Sequence, residues 1–122
     1  MARVLVVEDE ARIAGLIAKG LRAAGHEVLV AEDGELGLFL AAADDVDAVI
    51  LDLGLPGRDG VEVLGALQVL RPAVPVIVLT GYDDPEHRAI CLASGAAAYE
   101  TKPFSTRMLV ERVDQLAMAA RR

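Results

Sequence analysis

Five short apolar runs alternate along the chain with five segments of helical periodicity, and this alternation constrains the fold more than any single motif. The runs are Val4 to Val7, Glu27 to Ala31, Ala48 to Leu51, Val74 to Leu79 and Ala96 to Thr101. Uninterrupted aliphatic runs of this length read as strands covered on both faces. Glu27 to Ala31 is more polar, which puts it nearer an edge. Between the runs, apolar residues recur at helical spacing. The sets are Ile13, Leu16, Ile17, Leu21 and Ala24; Leu36, Phe39, Leu40 and Ala43; and Val63, Leu64, Leu67 and Leu70. A fourth helix starts at Asp83-Asp84-Pro85, a capping acid with proline in the first turn. A fifth carries Leu109, Val113, Leu116 and Ala120 inward, with Ser105 at its N-cap. Strict alternation predicts an α/β fold: a parallel sheet with right-handed crossovers and helices on both faces. Ligands of such sheets bind at the carboxyl ends of the strands.

The chain has 122 residues, of which 54% are hydrophobic, enough for one well-packed domain over 1–122. The core is aliphatic, with two Tyr, two Phe and no Trp. A net charge of −7 argues against binding of nucleic acid or an anionic membrane by this domain. It suits a cation site or a partner with a basic face. The single cysteine, Cys91, fits a reducing compartment and a small packing role. No apolar run approaches the roughly 20 residues of a membrane span. Met1 to Val7 is too short for a secretory signal. A soluble, cytoplasmic protein is expected.

Four of the five predicted strands end in polar residues on one sheet edge: Glu8-Asp9, Asp52, Thr80, and Lys102-Pro103. After Asp52 come Gly54, Pro56 and Gly57, which force an ordered loop. Three converging carboxylates repel unless a cation is present. Few protein oxygens on offer suit Mg²⁺ before Ca²⁺. A hydroxyl at Thr80 and an ammonium at Lys102 can hold phosphoryl oxygens. Together these groups describe phosphoryl transfer onto Asp52. An acid satisfied by loop amides would explain Asp52 alone, but not the company it keeps.

Val6-Val7-Glu8-Asp9, Leu51-Asp52 through Asp59-Gly60, Val78-Leu79-Thr80-Gly81, and Ser94-Gly95-Ala96 through Tyr99 to Lys102-Pro103-Phe104 recur together at the spacing of one family. On these pieces the chain resembles the CheY-like receiver domain of two-component response regulators over its whole length. Its loops look most like the OmpR/PhoB type. The resemblance implies a flavodoxin-like (βα)5 three-layer sandwich with strand order 2-1-3-4-5. It implies Asp52 as phosphoacceptor, and Mg²⁺ held by Asp9, Asp52, the Gly54 carbonyl and, through water, Glu8. It implies Thr80 and Lys102 as phosphoryl-binding groups, Thr80 and Tyr99 as the switch, and a cis peptide at Pro103. The implied donor is a sensor histidine kinase or a histidine phosphotransfer protein. The implied output is a surface change that addresses a homodimer or a downstream target, in a signalling module and not a turnover enzyme.

Ala97 and Ala98 stand where many DNA-binding relatives carry two acids, which argues against their salt-bridged dimer. Gly81 is small enough to admit a phosphodonor. Gly54 and Tyr82 flank the path of an attacking water, and Tyr82 is expected to shield the phosphate while Gly54 leaves its side open. His26 is expected to be exposed and silent, and His87 to carry no chemistry. Met108, Arg112 and Gln115 form a solvated stripe. Three other readings compete. A flavodoxin-like redox protein wants a Ser/Thr/Gly-rich loop where Glu8-Asp9-Glu10 stands. A phosphohydrolase with an aspartyl nucleophile wants a second acid two residues on, where Gly54 stands. A pseudo-receiver that only binds partners does not need the complete residue set present here.

Overall fold

The computed structural model describes residues 2–54, 59–81 and 84–120, residue 120 by its backbone alone. The elements are β1 (Arg3–Val7), α1 (Ala11–Ala23), β2 (Glu27–Ala31), α2 (Gly34–Ala43), β3 (Ala48–Asp52), α3 (Gly60–Leu70), β4 (Val76–Thr80), α4 (Pro85–Ala93), β5 (Ala98–Thr101) and α5 (Thr106–Ala120). The strands form one sheet in the order β2-β1-β3-β4-β5, with every pairing parallel. This is the flavodoxin-like topology. No helix among the described residues is long and apolar enough to cross a membrane.

Alternate side chains of each strand enter opposite layers, as the pleat requires. Val4 and Val6 join Ile17, Leu21, Ile50, Ile77, Leu109 and Val113 between the sheet and α1 with α5. Leu5 and Val7 join Leu51, Val63, Leu64, Leu67, Val78, Cys91 and Tyr99 on the opposite face. β3 and β4 are buried at every position, because strands cover both of their edges and helices both of their faces.

Four local expectations are corrected. β4 and β5 begin at Val76 and Ala98, two residues later than their apolar runs. Pro75 and Ala97 still bond to the neighbouring strands, Pro75 O accepting from Val49 N–H and Ala97 N–H donating to Val76 O, as lead-in segments. In α1 and α3, Leu16 and Leu70 point outward, 53% and 42% exposed. α2 turns a different face to the sheet from the one expected. Its buried residues are Gly34, Gly37 and Ala41, whereas Phe39 is 66% exposed. A Cβ at Gly37 would lie 2.9 Å from a Val7 methyl, so the helix approaches too closely for a large side chain.

His26 is buried rather than exposed. Its Nδ1 accepts from the Ala2 N–H at 3.0 Å, and its Nε2 pairs with Asp114 Oδ1. The neutral ring serves both contacts, with the proton on Nε2. This clasp ties the start of β1 to α5 at the sheet edge opposite Asp52.

Candidate phosphoacceptor site

The site is built by letting the sheet ladder run one residue past its strands. Glu8 N–H donates to Ala31 O at 2.9 Å, Leu53 N–H to Leu79 O at 3.2 Å, and Lys102 N–H to Thr80 O at 2.7 Å. The chain is therefore still in register where the polar residues begin. In β4 and β5, Thr80 lies level with Thr101; in β3, Asp52 lies level with Leu79.

Ligand oxygens of Glu8, Asp9 and Asp52 all lie within 4.8 Å of one another. Glu8 and Asp52 are buried, 2% and 5% exposed, and Asp9 is exposed at the rim. Each buried carboxylate has one oxygen fixed by the backbone. Gly54 N–H donates to Asp52 Oδ1 at 3.0 Å, and Glu10 N–H to Glu8 Oε2 at 3.2 Å. The remaining oxygens share one cation. Lys102 Nζ lies 3.2 Å from Glu8 Oε1 and 3.4 Å from Asp52 Oδ2. The Lys102–Pro103 peptide bond is cis.

One ammonium for two buried acids is too little charge. Burial, with a hydrogen bond to Asp52 next, pushes the Glu8 carboxyl up to about 7. Burial pulls the Lys102 ammonium down, but contact with Glu8 and Asp52 outweighs it and leaves the group raised. A second cation beside these acids would favour the ionised form of Glu8.

Of the other sequence candidates, Thr80 is buried at the end of β4, and Gly54 and Gly81 are exposed. A Cβ at Gly81 would meet nothing within 4 Å. Tyr99, in β5, is buried with its ring against His87 and Arg88 of α4. Tyr82 lies outside the described residues. Sequence reasoning missed two contributors, Glu10 and Arg88, and gave Gly60 only as part of the loop that carries the resemblance. Glu10 gives Glu8 a backbone donor. Gly60 packs its Cα on Leu53, where an added Cβ would lie 2.6 Å from the Leu53 Cα. Arg88 lies over the Tyr99 ring, its Cζ 5.7 Å from the centroid. The Asp59-Gly60 pair was visible in the sequence as an acid–glycine helix start; Arg88, on an exposed helix face, leaves no sequence signal.

Known proteins share this sequence pattern and fold. Transcriptional regulatory protein PrrA of Mycobacterium tuberculosis is 40% identical over 114 residues, covering 93% of this chain and 49% of the relative. The chain thus spans about half the length of the curated relatives it matches. A CheY-like response regulator receiver domain protein from Methanospirillum hungatei superposes with a TM-score of 0.94 at 30% identity, over 99% of this chain and 97% of the other. A response regulator from Burkholderia pseudomallei, solved with a phosphorylated aspartic acid, a calcium ion and citrate, gives 0.87 at 27% identity, over 99% and 71%. Residues 4–114 match the family model described as response regulator receiver domain, and the chain belongs to that family.

Proposed function

We propose that the domain is a phosphorylation-dependent switch that takes a phosphoryl group onto Asp52. The observation that carries this reading is the Asp52 carboxylate itself. It is buried, with one oxygen on a backbone N–H and the other on Lys102, beside two further acids. The relative from Burkholderia, which carries a phosphorylated aspartic acid, supports the same reading by analogy.

The donor set fits a hard divalent cation, since carboxylate oxygens of Glu8, Asp9 and Asp52 converge within 4.8 Å of one another. Glu8, Asp9, Asp52 and the Gly54 carbonyl would hold Mg²⁺, which supplies the charge that offsets the phosphoryl oxygens when bound. The residues do the rest. An Asp52 oxygen forms the new P–O bond. The P–N bond of a phosphohistidine breaks, and the imidazole leaves with that electron pair, its other ring nitrogen already carrying the proton that makes it neutral. Lys102 Nζ and the Thr80 hydroxyl donate to the phosphoryl oxygens, and Lys102 exchanges part of its contact with Glu8 to do so. The donor is a sensor histidine kinase or a histidine phosphotransfer protein. The domain catalyses only its own phosphorylation and dephosphorylation. Tyr99 carries the change to the surface formed by α4, β5 and α5, where the next partner reads it.

The test is incubation with phosphoramidate or acetyl phosphate and Mg²⁺, followed by intact mass. One added phosphoryl group is expected, absent in Asp52→Asn and without Mg²⁺. No added mass in the wild type would overturn the reading.

A further inference from the structure

α4 is the helix with the least apolar anchorage among the described residues. Of Pro85–Ala93 only Cys91 is buried, whereas α1 and α3 each bury four residues. Ile90 and Leu92 of α4 face outward, 47% and 43% exposed. The first turns of the helix are fastened to the sheet in another way. His87 stands edge-on to Tyr99, with ring centroids 6.1 Å apart and planes at 70°. Arg88 lies next to it, its Cζ 5.7 Å from the centroid of the same ring. Tyr99 is only 6% exposed, so these two side chains roof a ring that the sheet supports from below.

A guanidinium within about 6 Å of an aromatic face is attracted by the ring quadrupole. A T-shaped contact adds to this in the same direction. We propose that Arg88 is the positioning residue for Tyr99, holding the ring in its buried setting and making ring and α4 move as one. If the ring left, Arg88 and His87 would lose its face and the helix would keep Cys91 as its single buried anchor. If the helix shifted, the ring would lose its roof. An element with so few other attachments can take the two discrete arrangements that coupling between sites requires. Val78 pairs with Tyr99 and Thr80 with Thr101, so the ring is also two residues along the ladder from the Thr80 end of the site. The proposal rests on Tyr99 as the switch of the proposed function, and it adds the group that sets the position of that switch.

The chain has two tyrosines and no tryptophan, so in a Tyr82→Phe background the fluorescence reports Tyr99 alone. Acrylamide quenching of the full chain, without Mg²⁺ or phosphodonor, measures how open the ring is. Arg88→Ala is expected to enlarge the exposed-ring population about two- to fivefold, read as a higher quenching constant. Arg88→Lys, which keeps a cation over the ring, is expected to restore most of the protection. Arg88 is exposed, and an unchanged far-UV spectrum checks that the fold is intact. A quenching constant unmoved by Arg88→Ala, or raised equally by Arg88→Lys, overturns the assignment. No phosphodonor is present, so a failure of Asp52 to accept phosphate is seen separately, in the mass experiment.

Discussion

Glu8 Oε1 and Lys102 Nζ, from residues 94 positions apart in the chain, meet at 3.2 Å. That is shorter than the 3.4 Å from the same ammonium to Asp52. The lysine is thus shared, and its nearer partner is Glu8 and not the proposed acceptor Asp52. Glu8 nevertheless remains under-compensated, with its carboxyl pushed up to about 7 by burial first and by Asp52 second.

A pH dependence follows, with a sign opposite to that of most salt-bridged acids. The folded value lies above the ordinary 4.5, so the native state keeps a proton that the unfolded chain releases between those values. The stability this group lends is complete below about 4.5 and is lost as pH rises through about 7. Thermal melts in EDTA should therefore show wild type losing ground to Glu8→Gln between pH 5 and pH 8. Parallel slopes for the two proteins would remove Glu8 as the source. Mg²⁺ must displace the same proton, so its affinity should rise about tenfold per pH unit below 7 and level off above.

Lys102→Met removes the ammonium that lies between the two buried acids. An unpaired buried carboxylate costs several kcal/mol, less at a site whose lysine is 23% exposed to water. Urea unfolding without metal should show a loss of about 1–3 kcal/mol. Added Mg²⁺ should return most of it, since the ion supplies the missing charge. A variant that stays destabilised at saturating Mg²⁺ would point to lost packing of the lysine stem instead.

The His26 clasp predicts a stability effect remote from the site. His26→Ala empties a buried position and strands the Ala2 N–H, for a loss of about 2–3 kcal/mol. Asp114 is half-exposed, so Asp114→Asn should cost about 1 kcal/mol or less. Both variants should take up phosphate from phosphoramidate at the wild-type rate, because the clasp lies at the opposite edge of the sheet. A slowed uptake in Asp114→Asn would show that α5 transmits strain to Lys102.

How legible such features are in a sequence depends on how local their causes are. Asp52, Glu8, Thr80 and Lys102 can be read because strand ends follow directly from the apolar runs, and parallel alternation puts all the ends together. The buried face of α2 cannot be read. Leu36, Leu38, Phe39, Leu40 and Ala41 make it apolar on nearly every side, and the choice is made by how closely Val7 lets Gly37 approach. His26 is unreadable for a related reason, since its partner Asp114 is 88 residues away. Pro75 and Ala96 look like strand residues because they are apolar, yet they sit just before the paired strands. Arg88 over Tyr99 is a meeting of a helix face and a strand that no spacing encodes.

Gly60 gives the most direct test of how the acceptor loop is held. It opens α3, whose N-cap Asp59 accepts from the Val61 N–H at 2.8 Å. A Cβ there would lie 2.6 Å from the Leu53 Cα and 2.7 Å from its carbonyl oxygen. Both are backbone atoms, so a rotamer change cannot relieve the clash. Leu53 separates Asp52 from Gly54, whose N–H fixes the Asp52 carboxylate. Gly60→Ala should therefore do two things. Overpacking should lower stability by about 1–3 kcal/mol. Displacement of Leu53 should also weaken Mg²⁺ binding and slow phosphate uptake, even at temperatures where the variant is fully folded. Calorimetric Mg²⁺ titration at 10 °C, well below the melting range, separates these effects. Wild-type affinity in a folded Gly60→Ala protein would mean that the loop adapts, and that α3 does not position Asp52.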